Sequence, residues 1–403
     1  MEISTQRDCF PVLKLPNEIL RMIMEKASER ARARVPTNSY RNENEAVLPY
    51  YDDLVSLALV CSRLNAAATE ALYSCICIYA DEYRDTDRRA ARLSTCRPVS
   101  LLHRTLRENV QLRRYCNRFI FVHRRNRQMG DPVEPEFLRP PLGLGEPHQR
   151  SIPWPKEFAS IILDCTNWLF NTRVLTISGH AFGTWLPETD ITYRLLSCGR
   201  MSMPRLECIE ILNDISYHRD VLTLYDIQLA LSGGFLNLKH LTIRHRVRKP
   251  SNPRRSNAPG SLSTYNPCSG FSLSSLTLIN SADHPDLVRN FVTWLKDLKH
   301  FTLRWDSRFR FGSRRDPQWS LALVGDILKP HRDSIKSIKL GMMSQPGLGD
   351  FDASNFPNLE TLTMHHRDLR GIVISTCQQL QAARLHDVVV TTDDIEEEMF
   401  YNA

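Results

Sequence analysis

Leu238–Ile243 reads LKHLTI, a six-residue phrase with large apolar side chains at its first, fourth and sixth positions, and the chain keeps returning to it. It recurs as LECIEI from Leu206, LSSLTL from Leu273, LKHFTL from Leu298, IKSIKL from Ile335, LETLTM from Leu359 and LQAARL from Leu380. TRVLTI from Thr172 is a further copy, and CNRFIF from Cys116 a weaker one. Alternation over the last three positions marks a strand with one buried face. Between the phrases, KEFASIILDCTNWLF from Lys156, PDLVRNFVTWLKDL from Pro285 and WSLALVGDILK from Trp319 read as helices. A repeated strand and helix predicts an irregular α/β solenoid with a parallel sheet. One unit alone leaves an apolar face exposed, and stacking buries those faces as a continuous core.

Successive phrase starts from Leu206 to Leu380 are 32, 35, 25, 37, 24 and 21 residues apart. The shorter gaps fall in or near the leucine-rich-repeat range and the longer ones need insertions. Three Pro-, Gly- or Arg-rich stretches, 122–155, 248–270 and 307–318, read as long surface loops. The asparagine or cysteine that forms the usual internal ladder, three places after the last apolar position, is missing. His180, Asp214, Arg246, Ser281, Asp306, Met343, Arg367 and Val388 stand there instead.

Strand alternation sends the fourth and sixth positions inward, and the third, the fifth and the following residue outward to a concave surface. The fifth positions include Thr242, Thr302, Lys339 and Arg384; the following ones include Arg244, Arg304, His365 and His386. The threonines need no explanation beyond β-propensity, and a row of charges is most simply a solvated face. The functional reading is a basic rim for a protein substrate with an acidic or phosphorylated segment, since Arg makes strong charge-assisted bonds to such groups.

Ahead of the phrases lie two helical strings, LPNEILRMI from Leu15 and DLVSLALVCSRLNAAAT from Asp53. Pro16 suits an opening helical turn and Glu18 the positive end of the dipole. Ile19, Leu20, Ile23, Met24 and Ala27 follow at helical spacing, and Leu54, Leu57, Ala58, Cys61, Leu64, Ala68, Ala71 and Leu72 draw one stripe along about five turns. On periodicity alone these are two packed helices. Together, from Leu15 to Tyr73, the strings closely resemble the F-box in its divergent fungal form. That resemblance implies a three-helix module docking on the adaptor subunit of a cullin-RING ubiquitin ligase. Leu15, Pro16, Ile19, Leu20, Ile23, Leu54, Leu57, Val60 and Cys61 match the family's hydrophobic positions, with Val60, off the stripe, as an outward contact. The chain departs from the family in the polar insertion 28–51, where the F-box usually has only a few residues. The expected layout is an F-box over 10–78 followed by leucine-rich-repeat-like units over 79–403, a combination known among F-box proteins.

Composition fits one small module and one large domain: 403 residues are 42% hydrophobic, ample for a core. The eleven cysteines are odd in number and form no CxxC pair or metal-like cluster, so reduced thiols are expected. No signal peptide, membrane-length apolar run or N-x-S/T sequon is present, which points to the cytosol or nucleus. The charge of +7 and thirteen Arg against three acidic residues between Arg84 and Arg127 raise nucleic acid as a rival ligand. No helix-turn-helix, zinc-finger or RNP-like string accompanies them. Nor is there a P-loop, a GxSxG elbow or an HExxH. The expectation is a non-catalytic receptor without cofactor, joined through the adaptor to cullin and RING proteins; the alternative is a repeat scaffold outside any ligase.

Overall fold

A computed structural model describes residues 15–33, 52–82, 99–125, 156–179, 194–197, 202–215, 224–232, 234–247, 271–281, 283–305, 319–341, 343, 351–365 and 387–391. Among these residues the chain folds as α/β around one ten-stranded parallel sheet. Its strands are β1 (Cys75–Glu82), β2 (Arg118–Arg125), β3 (Val174–Gly179), β4 (Cys208–Ile215), β5 (His240–Val247), β7 (Ser275–Ile279), β9 (His300–Arg304), β10 (Ser337–Leu340), β11 (Thr361–His365) and β12 (Asp387–Thr391). The two-residue strands β6 (Phe271–Ser272) and β8 (Leu295–Lys296) pair separately, beside β7 and β9 in sequence. In the large sheet each strand lies parallel to the one before it, so spatial order follows chain order.

The register explains why the phrase is built as it is. Fourth positions Leu175, Ile209, Leu241, Leu276, Phe301, Ile338 and Leu362 form one buried lateral row. Sixth positions Ile177, Ile211, Ile243, Leu278, Leu303, Leu340 and Met364 are buried with them. Both meet helical residues of α6 (Lys156–Trp168), α8 (Leu224–Leu231), α9 (Pro285–Trp294) and α10 (Leu321–Leu328), among them Ile162, Ile227, Phe291 and Val324. Short helical segments α4 (99–108), α5 (Val110–Arg113) and α7 (194–197) complete that layer. Helix starts obey ordinary chemistry: the Ser320 hydroxyl accepts from the Leu323 N–H, and Pro285 opens α9 where a missing N–H costs nothing.

A ladder between units does exist, on the other side of the phrase. Asn171, Asn237 and Asn358, each just before a copy, donate through Nδ2 to the carbonyls of Arg114, Pro204 and Asp333 at 2.7–2.8 Å. Ser334 Oγ does the same toward Leu298 O at 2.8 Å. Three places before the phrase, Leu169, Met203, Phe235, Leu295 and Phe356 are all buried. The working unit is therefore longer than the six residues read from the sequence.

Five expectations need correction. LQAARL, at 380–385, lies outside the described residues, and the strand paired with β11 begins only at Asp387. Leu362 faces Val388 and Met364 faces Val390, which puts the phrase at LHDVVV, because three valines favour a strand more than Ala383 and Arg384 do. The five-turn helix is two helices, α2 (Asp52–Ala58) and α3 (Ser62–Ser74), with a turn at Leu59–Val60 held by Asn65 Nδ2 donating to Ala58 O at 2.9 Å. The first helix, α1 (Asn17–Ala33), runs past residue 28, and 34–51 lie outside the described residues. Finally, α3 passes directly into β1, so the expected boundary at 78/79 falls inside a strand. Of the three long loops, residues 122–125 belong to β2, and 126–155, 248–270 and 307–318 lie outside the described residues.

Candidate functional site

Two surfaces carry the predicted residues. On the first, α1, α2 and α3 close over a small core of Leu20, Met24, Leu54, Leu64 and Ala68, with Leu15, Leu57 and Cys61 half-buried against it. An ion pair, Arg21 Nε to Glu70 Oε2 at 3.0 Å, ties α1 to α3. Leu20 and Leu54 are 1% exposed and hold this unit together, so they are not docking contacts, contrary to expectation. Pro16, Ile19, Ile23 and Val60 do face solvent. So do Met22, Val55 and Leu59, which belong to a second apolar stripe that helical spacing alone does not separate from the first. Leu59 and Val60, in the turn, are 81% and 65% exposed.

The second surface is the sheet face opposite the helices, and it divides in two. Over β1 to β4 the outward positions are more closed: several are buried, and Val174, Ser178, Cys208 and Leu212 are half-buried. Cys75, Ile120 and Val122 are buried as an apolar cluster with Cys77 against it. Thr176, a fifth position expected to be exposed, is 1% accessible. It lies under an ion pair between Arg118 Nη2 and Glu210 Oε2 at 2.7 Å, and its hydroxyl donates to the same carboxylate at 2.8 Å. Over β5 to β10 the outward positions are open: Thr242, Arg244 and Thr302 are half-exposed, and His240, His300, Arg304 and Lys339 exposed. The register places Thr242, Thr302 and Lys339 in one row, and Arg244 and Arg304 in the next, with Ile279 between them. His365 ends β11, beside Thr391. Arg384 and His386 lie outside the described residues.

A third cluster joins His245, near the end of β5, to Ser281 and Asp283, just past β7. His245 and Asp283 approach to 3.9 Å, too far for a hydrogen bond, and Ser281 Oγ donates to Asp283 Oδ2 at 3.0 Å. Neither ring nitrogen of His245 has a hydrogen-bond partner among the described residues. Burial pushes the imidazole down to about 4. It pushes the carboxyl up to about 6, while the Ser281 hydroxyl and the Leu224 N–H pull it down and Asp226 raises it slightly.

The buried thiols of Cys116 and Cys165 are pushed up to about 12, and that of Cys208 to about 11, burial being the main cause in each case. Thiols so protonated at neutral pH are poor nucleophiles. Among the described residues no group of three or more His, Cys, Asp or Glu is placed to hold a metal ion, and no helix is long and apolar enough to cross a membrane. Several arginines of the Arg-rich stretch already have local partners. Arg113 lies 4.3 Å from the Trp168 ring centroid and donates to Leu106 O, Arg104 meets Glu108 at 3.8 Å, and Arg118 binds Glu210.

No protein-family model matches the chain, and no curated protein matches it either.

Proposed function

We propose that this chain is the substrate-receptor subunit of a cullin-RING ubiquitin ligase, docking on the adaptor through α1–α3 and holding a protein target on the open half of the sheet. One observation carries the reading. The small three-helix unit has a complete core of its own, yet leaves Ile19, Met22, Ile23, Val55, Leu59 and Val60 facing water. Concentrating large apolar side chains on so small a unit is unfavourable unless a partner covers them. The positions also agree with the F-box strings, which argues for the adaptor. The chain itself would do no chemistry; catalysis would be a proximity effect, the target being held near the charged enzyme by rigid geometry.

The test is co-purification of the tagged full chain with adaptor and neddylated cullin. Ile23→Asp combined with Val60→Asp changes two exposed side chains, so the melting temperature should hold while adaptor binding falls at least about a hundredfold, the loss of two buried anchors at ~1.5–3 kcal/mol each. Adaptor binding that survives both substitutions, or its absence from the wild-type chain, sinks the reading and leaves a repeat scaffold outside any ligase.

A further inference from the structure

The start of each strand carries a pattern of its own, one place ahead of the outward third position of the phrase. In register across the sheet, the second and third positions are Glu207-Cys208, Lys239-His240, Ser274-Ser275, Lys299-His300, Lys336-Ser337 and Glu360-Thr361. Their backbones are locked together, with the carbonyls of Glu207, Ser274, Lys299 and Lys336 each accepting two N–H bonds from the next strand. The cations are thus held on rigid strand starts, with a carboxylate at each end of the row. Lys239 leans toward Glu207 at 3.8 Å and Lys336 toward Glu360 at 2.7 Å. His240, Lys299 and His300 are exposed and have no ion-pair partner among the described residues.

Electrostatics agree with the geometry. The His300 imidazole is held below its usual range, first by partial burial and then by His240, Lys299 and Lys336, with Glu360 opposing. Lys339 on β10 adds further positive charge; exposed Asp297 and Asp333, on the turns before β9 and β10, oppose it. A negative guest would relieve that repulsion and hold the imidazole protonated.

We propose that this row, from Lys239 to Lys336 with the hydroxyls of Ser275 and Ser337, binds a short acidic segment of a protein partner. The proposal rests on the receptor reading in taking that partner as the target. Four strands at about 4.8 Å spacing make the row ~14 Å wide, the length of about four extended residues. The terminal carboxylates of Glu207 and Glu360 favour such a segment over nucleic acid. A phosphate backbone crossing the sheet would meet negative charge on both sides, whereas a short peptide fits between them.

The probe is fluorescein-labelled octaglutamate, titrated by anisotropy into the full-length chain at low salt, with a twenty-nucleotide single-stranded DNA alongside. Octaglutamate should bind the wild type, and more tightly at pH 6 than at pH 7.5. Lys299→Glu should weaken it about tenfold, as loss of one charge-assisted contact does, and His300→Ala should flatten the pH dependence. Lys329→Glu makes the same charge change on the helical side and should leave binding unaltered. Lys299→Ala repeats the test with a milder change, and melting temperatures report whether each variant folds. Equal losses in Lys299→Glu and Lys329→Glu, no octaglutamate binding at all, or DNA binding that outcompetes octaglutamate would each overturn the proposal. Adaptor capture by the same variants keeps the two readings apart: its loss from the wild type strikes the receptor assignment alone, and peptide binding blind to Lys299 strikes this one alone.

Discussion

The sheet face opposite the helices is made from one strand phrase throughout, yet its two ends behave differently. At β1 to β4 the outward positions include Cys75, Ile120, Val122 and Thr176, all buried, and an Arg118–Glu210 pair bonded across them, while Val174, Ser178, Cys208 and Leu212 are half-buried and carry no charge. At β5 to β10 they are histidine, serine, threonine, arginine and lysine, half or fully exposed. Inward positions are alike in both regions, so the difference is not one of fold. It shows that the fourth and sixth positions build the core, while the third, fifth and seventh decide whether a stretch of the same sheet becomes a second packed layer or a surface.

The sharpest way to break this contrast is to place a charge at the same lateral position in each region. Ile120 and Thr302 are both fifth positions. Ile120→Asp puts a carboxylate into a packed layer, among Cys75, Cys77 and Val122 and beside Thr176, whose hydroxyl is already engaged by Glu210, and the loss of stability should exceed about 3 kcal/mol, enough to unfold a marginal domain. Thr302→Asp should stay within about 0.5 kcal/mol. Urea unfolding of the two variants checks the pair, and equal losses would mean that the closed half is no second core.

A smaller contrast concerns the cations. Arg118→Met strips Glu210 and Thr176 of their shared partner and should lower stability by about 1–2 kcal/mol, part of it screened because both charged side chains are about a third exposed. Lys339→Met, on the open half, should change stability by less than about 0.5 kcal/mol. If Lys339→Met proves as harmful as Arg118→Met, the open face is engaged within the chain and is not a free surface.

Much of this was legible in the residues and some was not. The α/β class and parallel sheet followed from a phrase of period two alternating with helical stretches, because burial of one strand face leaves an unmistakable mark. TRVLTI and CNRFIF, the less regular copies, form β3 and β2 as read, and β1, at the edge of the described sheet, is built from the alternating CICIY at Cys75. Apolar spacing alone does not find the last described strand, which β-propensity places at Val388, Val389 and Val390. The ladder was missed because Asn171, Asn237 and Asn358 stand before the phrase, where its first apolar residue looked like the start of the unit. At the N-terminus, one stripe was read where α1 has two: Leu20 and Met24 turn inward, Ile19 and Ile23 outward. Which of two adjacent apolar stripes faces water depends on the neighbouring helices, and α2 and α3 settle it only in three dimensions.

The open half also differs in holding a buried titratable pair close to its far end, and this gives a subtle test. Asp283 is raised in the folded state, so its contribution weakens stability as pH climbs from about 4 through about 6. His245 is lowered to about 4, so its contribution weakens stability as pH drops from 6.5 toward 4. Over pH 4 to 6 the two slopes oppose each other, and the wild type should show little net dependence from this pair. Removing one partner uncovers the other. Stability of Asp283→Asn, relative to wild type, should rise with pH over that window, and that of His245→Leu should fall, each by on the order of 1 kcal/mol per pH unit at most. Curves for the two variants that run parallel to the wild type would mean that the pair does not titrate in the folded chain.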